Sequence, residues 1–520
     1  MYNIRKGIVV LGILLIAISF SVQIFDQPST TYYLLAITLS ISIYALLRKL
    51  KFELYIIFLS ISIAYTSFLI AHPRIIQQSV FETIKSFLRG EETSIFIRNQ
   101  LVNLQIPTSL SINTFLIIVL WVVFLFSMIL VSYSMISWLT KSWFFVENLT
   151  PPLLKPIIVY SKYFSEIKKL HVLIGAGLAA GLFMIDLLLA TDFPALLLIY
   201  TDLTFNTSLA IFSIIHLYII KSFTQVSEAN FIFGGEIGLI IFILLLGLIF
   251  AKRGITRKVT PIKERLRLFS ILVFGISLIY ITLYLMLDTF AVNVFPFVIA
   301  AMLLNSVASS RIEAEFQILF ISEQLSIVNY AIFLPMAVHA INGTIPGILY
   351  SVLIVAFTPI IPAVLVNIGN VAASYEKDTN RKFNQFLSIL LITFAIFLFF
   401  NLAFYRYSKD IYNVKTYIQY ENEIKLDIFY ICASAAAALS LGIIHTLLYK
   451  LPLNPVAFTV APFYASNADI IAILVVSVVK MLLIKRLKAK FFAHIVVLAT
   501  IFYAIFNIVK LYLIGNFGVI

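Results

Sequence analysis

The feature that most constrains this sequence is its succession of apolar runs, most of them close to the roughly 20 residues a helix needs to cross a bilayer. They fall at 8–25, 32–47, 54–71, 113–138, 171–190, 205–221, 232–251, 268–287, 289–306, 326–341, 345–370, 385–404, 427–449, 467–484 and 491–514. Lipid offers backbone groups no hydrogen bonds, so only helices and closed barrels cross it. Barrel strands alternate apolar and polar residues, whereas these runs are continuous. Composition agrees: 62% of residues are hydrophobic and 12% charged, against about 45–50% and 25% in soluble domains. The expected fold is all-α, a polytopic transmembrane helical bundle of about 14–16 membrane segments, including broken or re-entrant helices, in a transporter-like arrangement.

The chain reads as one integral membrane domain, 1–520, with halves at 1–260 and 261–520. Three polar stretches stand out: 72–112, an outer loop with an amphipathic helix between Ile75 and Leu104; 139–170, an inner loop carrying five lysines; and 405–426, a Tyr-rich outer loop. Lys and Arg outnumber Asp and Glu by 37 to 24. In a membrane protein such an excess marks cytoplasmic loops facing anionic lipid, and no basic run is interleaved with stacking aromatics, so nucleic acid is not an expected partner. The single cysteine, Cys432, excludes disulfides within the chain. Arg5 and Lys6 precede the first run, which lacks a small-residue cleavage site; it reads as an uncleaved helix with a cytoplasmic N-terminus. Heavy use of Ile, Tyr and Lys suggests an AT-rich, archaeal genome.

Charge sorting fails twice along a simple alternation of spans. It puts the dense cluster Lys252, Arg253, Arg257, Lys258, Lys263, Arg265, Arg267 outside, and it separates Lys450 from Lys485–Lys490 by a single crossing. One short extra segment in each half repairs both. The candidates are 193–202 or 222–231, and 452–465, which is apolar but broken by Pro452, Pro455 and Pro462. A pair of interrupted segments in corresponding halves points to a transporter's substrate site.

Charges at membrane depth face a bundle interior or an aqueous cavity. Arg311 and Glu315 are helical i, i+4 neighbours, with Glu313 between them and Glu323 two turns on, leaving surplus carboxylate for a cation, a proton or a basic group. Asp202 and Glu236 flank the first disputed crossing, Glu236 at the start of a span; Asn454 lies in the second. These seven residues are the expected substrate or ion pathway. Lys480 is expected to snorkel to the interface. The sequence lacks Gly-x-Ser-x-Gly, the phosphate-binding Gly-rich loop and His-Glu-x-x-His, and His216, His339 and His445 lack ligand spacing. An enzyme, a cofactor and a metal site are therefore not expected. Asn148, Asn206 and Asn342 match the glycosylation pattern.

Asp202 with the span to Lys221, the Gly234-Gly235 span ending in Ala251-Lys252-Arg253, Arg311-Ile312-Glu313-Ala314-Glu315, and Leu451–Ala457 before the Lys480 helix together resemble an uncharacterised family of prokaryotic polytopic proteins related to oligopeptide transporters. Glu313 stands where that family has a second arginine, Phe316 where it has a glycine after the motif, and Ala457 where it has a turn glycine. The resemblance implies a transporter-like fold. The expected function is movement of a small organic, peptide-like solute coupled to protons or a cation across the plasma membrane. The expected partners are membrane lipids, the solute or ion, and other membrane subunits. The alternative is a non-catalytic scaffold or subunit of a larger assembly.

Overall fold

The computed structural model describes residues 93–97, 100–104, 114–145, 147, 149, 163, 166–189, 195–221, 228–252, 262–287, 290–316, 427–448 and 451–517. The spans expected at 8–25, 32–47, 54–71, 326–341, 345–370 and 385–404, the loop 405–426, and Glu323 lie outside these residues.

The protein is an all-α polytopic membrane bundle. Among the described residues nine helices are long and apolar enough to cross a membrane. In chain order the helices are α1 (Thr114–Phe145), α2 (Lys169–Leu189), α3 (Leu196–Tyr200), α4 (Leu203–Ile215, continuing as a π turn His216–Ile220), α5 (Glu228–Lys252), α6 (Ile262–Leu287), α7 (Phe290–Leu304), a π turn (Asn305–Ser309) leading into α8 (Ser310–Phe316), α9 (Ile428–Leu447), α10 (Pro455–Val460, followed by a 3-10 turn Ala461–Tyr464), α11 (Asn467–Arg486) and α12 (Ala489–Phe517). One two-stranded sheet accompanies them: β1 (Thr93–Ile97) pairs antiparallel with β2 (Gln100–Leu104), Ile97 opposite Gln100. The described end of the segment expected to be helical up to Leu104 is therefore strand, not helix. Thr93, Ile95 and Ile97 are β-branched and favour the extended backbone.

Direction follows from which residues meet. His171 lies against Phe491 and His494, and Phe183 against Tyr503 and Phe506, so α2 and α12 run parallel. A Cβ at Gly234 would collide with Ile431 and one at Gly238 with Ala435, while Gly442 meets the Phe242 ring; α5 and α9 are parallel too. The end of α4 meets the start of α5 through His216–Phe231 and Lys221–Glu228. It also meets the start of α11, where the Tyr218 hydroxyl donates to Asn467. Hence α4 runs opposite to both. Only Leu487 and Lys488 separate α11 from α12, a reversal.

A simple architecture results. Residues 169–252 and 428–517 each comprise a long helix, a short one and two more long ones. Within each unit the helices flanking the short segment run parallel, so that segment returns the chain across the bundle. The equivalent helices α4 and α11 are antiparallel, which makes the units inverted repeats. Their packing is reciprocal: α3 rests on α11 and α12, α10 on α4 and α5, while α2 pairs with α12 and α9 with α5. Both expected repair segments, 193–202 and 452–465, contain these short helices, whereas 228–231 is simply the first turn of α5. The ends bearing Lys169, Lys252, Lys485, Arg486 and Lys490 then share one side, and Lys221 lies on the other.

Small residues permit the tight pairs. Gly234-x-x-x-Gly238 on α5 meets the Ser434, Ala438, Gly442 stripe on α9. In lipid no hydrophobic force drives helices together, so close van der Waals contact does that work. Outside the two units, Gly275 of α6 meets Val131 of α1, with a Cβ there 2.9 Å from the valine methyl. Leu188, Phe269, Phe274 and Phe429 are exposed, as a surface turned to lipid requires.

Candidate functional site

The site is built where α8 meets α10. Arg311 is 5% exposed. Its Nε donates to Glu315 Oε1 at 2.7 Å, one helical turn on, and its Nη2 to Glu147 Oε2 at 2.8 Å. The guanidinium lies 5.4 Å from the Trp143 ring centroid, a further favourable cation contact. Glu315 Oε2 accepts from Asn454 Nδ2 at 2.7 Å. Asn454 Oδ1 accepts from the Val456 and Ala457 amides at 2.8 and 3.2 Å, and so caps α10. Pro455 takes the first helical position, where a missing N–H costs nothing. A continuous polar path thus joins α1, α8 and the start of the broken segment.

The network carries one positive and two negative charges, hence net −1. A buried guanidinium between two carboxylates is well compensated. Its Nη1 and the hydroxyls of Ser309 and Ser310 are nonetheless buried with no hydrogen-bond partner among the described residues. They sit at the π turn, an irregularity common at functional sites, and Ser306 of the same turn donates to Ser132 on α1 at 3.2 Å. Phe316, where the resembled family has glycine, is buried; it stacks on Phe205 of α4 at 4.7 Å and meets Tyr464 edge-on at 5.7 Å.

Of the expected residues, Arg311, Glu315 and Asn454 converge. Glu236 is separate but linked: Thr459 of α10 lies against Gly235, so the helix capped by Asn454 runs from the Arg311 network to the helix carrying Glu236. Glu236 does not start its span, as expected, but sits eight residues, about 12 Å, into α5. Asp202 does not join them. It precedes α4, is exposed, and its side chain makes no capping hydrogen bond. Glu313 lies in α8, and its side chain is outside the described residues.

Glu147 and Trp143 were not expected. Their signal is faint: Glu147 is one of two acidic residues in the lysine-bearing stretch 139–170. Asp186 has a defined role at the other short helix, accepting from the Ala195 amide at 2.9 Å and from the Tyr503 hydroxyl, so it anchors the entry to α3. Lys480 does not snorkel; it is 4% exposed, on the α11 face shared with Ile473 and Val476 that packs inward. Asn206 is fully buried and bonded to Leu198 and Thr201, which removes it as a glycan acceptor.

Asn454 has two roles, and they separate by substitution. Asn454→Ala loses the cap and the bond to a charged acceptor, together about 2–3 kcal/mol. Asn454→Asp keeps a capping oxygen but sets a second carboxylate against Glu315. Thermal unfolding in detergent at neutral pH should place Asn454→Asp below Asn454→Ala, and Glu315→Gln should recover it.

No protein-family model matches the sequence, and no curated protein matches it at a significant level.

Proposed function

We propose that this chain is a secondary transporter of the plasma membrane, moving a small organic, peptide-like solute by alternating access, coupled to protons or a cation. The observation that carries this reading is the inverted repeat with a short, buried, interrupted helix in each unit, each packed on the other unit's long helices. Inverted repeats meeting at broken helices characterise secondary transporters, whose solute and ion sites lie at the repeat interface. The net −1 network at the α10 cap supplies recognition for a solute bearing a basic group, and the orphan Nη1 of Arg311 for its polar end. The likeness of Arg311–Glu315 and Leu451–Ala457 to relatives of oligopeptide transporters supports the same reading, without a catalytic role. Positive-inside sorting assigns the Lys252 and Lys490 side, and the N-terminus, to the cytoplasm.

The test is uptake into proteoliposomes of amino acids, di- and tripeptides and organic cations under an imposed pH or sodium gradient. Accumulation abolished by Glu315→Gln is expected. Absence of flux for the whole panel, with no solute raising the melting temperature, would overturn the reading. A scaffold role is the alternative, favoured by Glu313 and Phe316 in place of the family's arginine and glycine; stoichiometric protein partners in mild detergent would support it. Topology is separately testable in a Cys432→Ala background. Single cysteines at Lys252 and Lys488 should label from the cytoplasm, and one at Lys221 from outside.

A further inference from the structure

We propose that Glu236 is the proton-coupling site of this protein, held as a neutral carboxylic acid in this conformation and exchanging its proton with solvent when the bundle opens. The coupling role rests on the transporter reading; the neutral carboxyl rests on geometry. Glu236 is 0% exposed, and neither carboxyl oxygen has a hydrogen-bond partner among the described residues. An unpaired carboxylate so buried is penalised far more than the uncharged acid.

Among the described residues the neighbours offer no countercharge. Helix α5 packs on α9, α10, α7 and the Asn305–Ser309 turn, none of which contains Lys or Arg. Among the described residues the ionisable groups on or beside these elements are Asp427, at the cap of α9, Tyr430, Cys432 and His445 of α9, His216 and Tyr218 at the end of α4, Tyr464 in the turn after α10, and Arg311 and Glu315 of α8; α10, α7 and the Asn305–Ser309 turn themselves carry none. None pairs with Glu236. The nearby cations are engaged: Lys221 with Glu228, and Arg311 with Glu147 and Glu315. No group of three His, Cys, Asp or Glu gathers among the described residues, and a sodium ion held by hydroxyl and carbonyl oxygens is the alternative that the experiment below separates. A proton needs no such shell: it adds to one carboxylate oxygen, and no other bond changes.

The placement suits coupling. Glu236 is one position from Gly235, where a Cβ would be 2.9 Å from Thr459 of the broken segment, and two positions from Gly234 and Gly238, so it lies on the side of α5 away from the α9 contact. Movement of α10 away from α5 would admit water beside this carboxyl, and the same helix begins at the Asn454–Glu315–Arg311 network. Proton release and rearrangement of the network would then be one event.

The experiment is infrared spectroscopy of purified full-length protein at neutral pH, with no solute present, so its result does not depend on the transport reading. The expected result is a carbonyl band of a protonated carboxyl in the wild type that shifts in D2O and is absent from Glu236→Gln. If Glu236→Gln does not yield folded protein, Glu236→Asp, which keeps a carboxyl, must move the band rather than erase it. Absence of any Glu236-dependent acid band, as a sodium-bound carboxylate would give, overturns the proposal. So does a band that never shifts in D2O, since a locked acid couples nothing. In proteoliposomes, Glu236→Gln should retain downhill exchange of any solute the panel scores and lose accumulation driven by a pH gradient; retained accumulation overturns the coupling role.

Discussion

Arg311→Ala should destabilise the folded bundle by about 3–5 kcal/mol, the range for removing one partner from a buried ionic network. The reason is what remains. Glu147 and Glu315 lose their guanidinium at 2.8 and 2.7 Å, and among the described residues Glu315 keeps only the neutral Asn454 amide. Two carboxylates then share a nearly dry site. Arg311→Lys should recover only part, because one ammonium cannot reproduce donation from both Nε and Nη2 while staying over the Trp143 ring.

A compensated variant separates stability from function. In Arg311→Met, Glu147→Leu, Glu315→Gln the charges vanish together, the volumes are roughly kept, and the glutamine oxygen still accepts from Asn454. Buried ion pairs replaced by well-packed neutral groups are often no less stable. The triple variant should therefore melt near the wild type while failing to accumulate solute. If it melts as low as Arg311→Ala, packing rather than charge holds this corner. If it retains uptake, the network is not part of the pathway. Chemical denaturation in detergent and the proteoliposome assay measure the two outcomes.

The membrane character was fully legible in the apolar runs, because a bilayer demands length and uncharged composition and little else. The short helices were legible too, though indirectly. Lys252–Arg267 and Lys485–Lys490 could share a side with Lys169 only if one short segment in each half, 193–202 or 222–231 and then 452–465, returned the chain. The Arg311–Glu315 pair lies one helical turn apart, so spacing alone displayed it. Glu147 did not show itself, because its partner is 164 positions away and nothing local marks a contact at that separation. Glu236 was misplaced by one principle overriding another: Glu228 and Asn230 make the start of α5 look like loop, yet the helix begins there and carries Glu236 to depth. Lys480 misled for the opposite reason. Proximity to a span end suggested an interface, but its helical phase with Ile473 and Val476 turns it inward. The Gly234 and Gly238 spacing was present from the outset, and only the facing Ser434, Ala438 and Gly442 gave it meaning.

That interface gives the second large effect. Gly238→Leu should cost about 3 kcal/mol, at the upper end of what overpacking costs in well-packed cores, because its obstacles are partly backbone. A Cβ there meets the Ala435 carbonyl and lies 2.8 Å from the Ala438 Cβ; at Gly234 it meets the Ile431 carbonyl and the Ser434 hydroxyl. Rotamer changes relieve neither, so α5 and α9 must separate, and small-residue contact is the main attraction between them. Gly234→Leu should behave alike, and the double variant should not assemble. Gly247→Leu, about two and a half turns along the same helix, is the control. Nothing lies within 4 Å of a Cβ there, and its neighbour Leu248 is already 67% exposed, so the change should fall within about 0.5 kcal/mol of neutral. If Gly247→Leu is as damaging as Gly238→Leu, helix propensity or insertion rather than α5–α9 contact sets the cost. If neither is damaging, the two helices do not meet along this face.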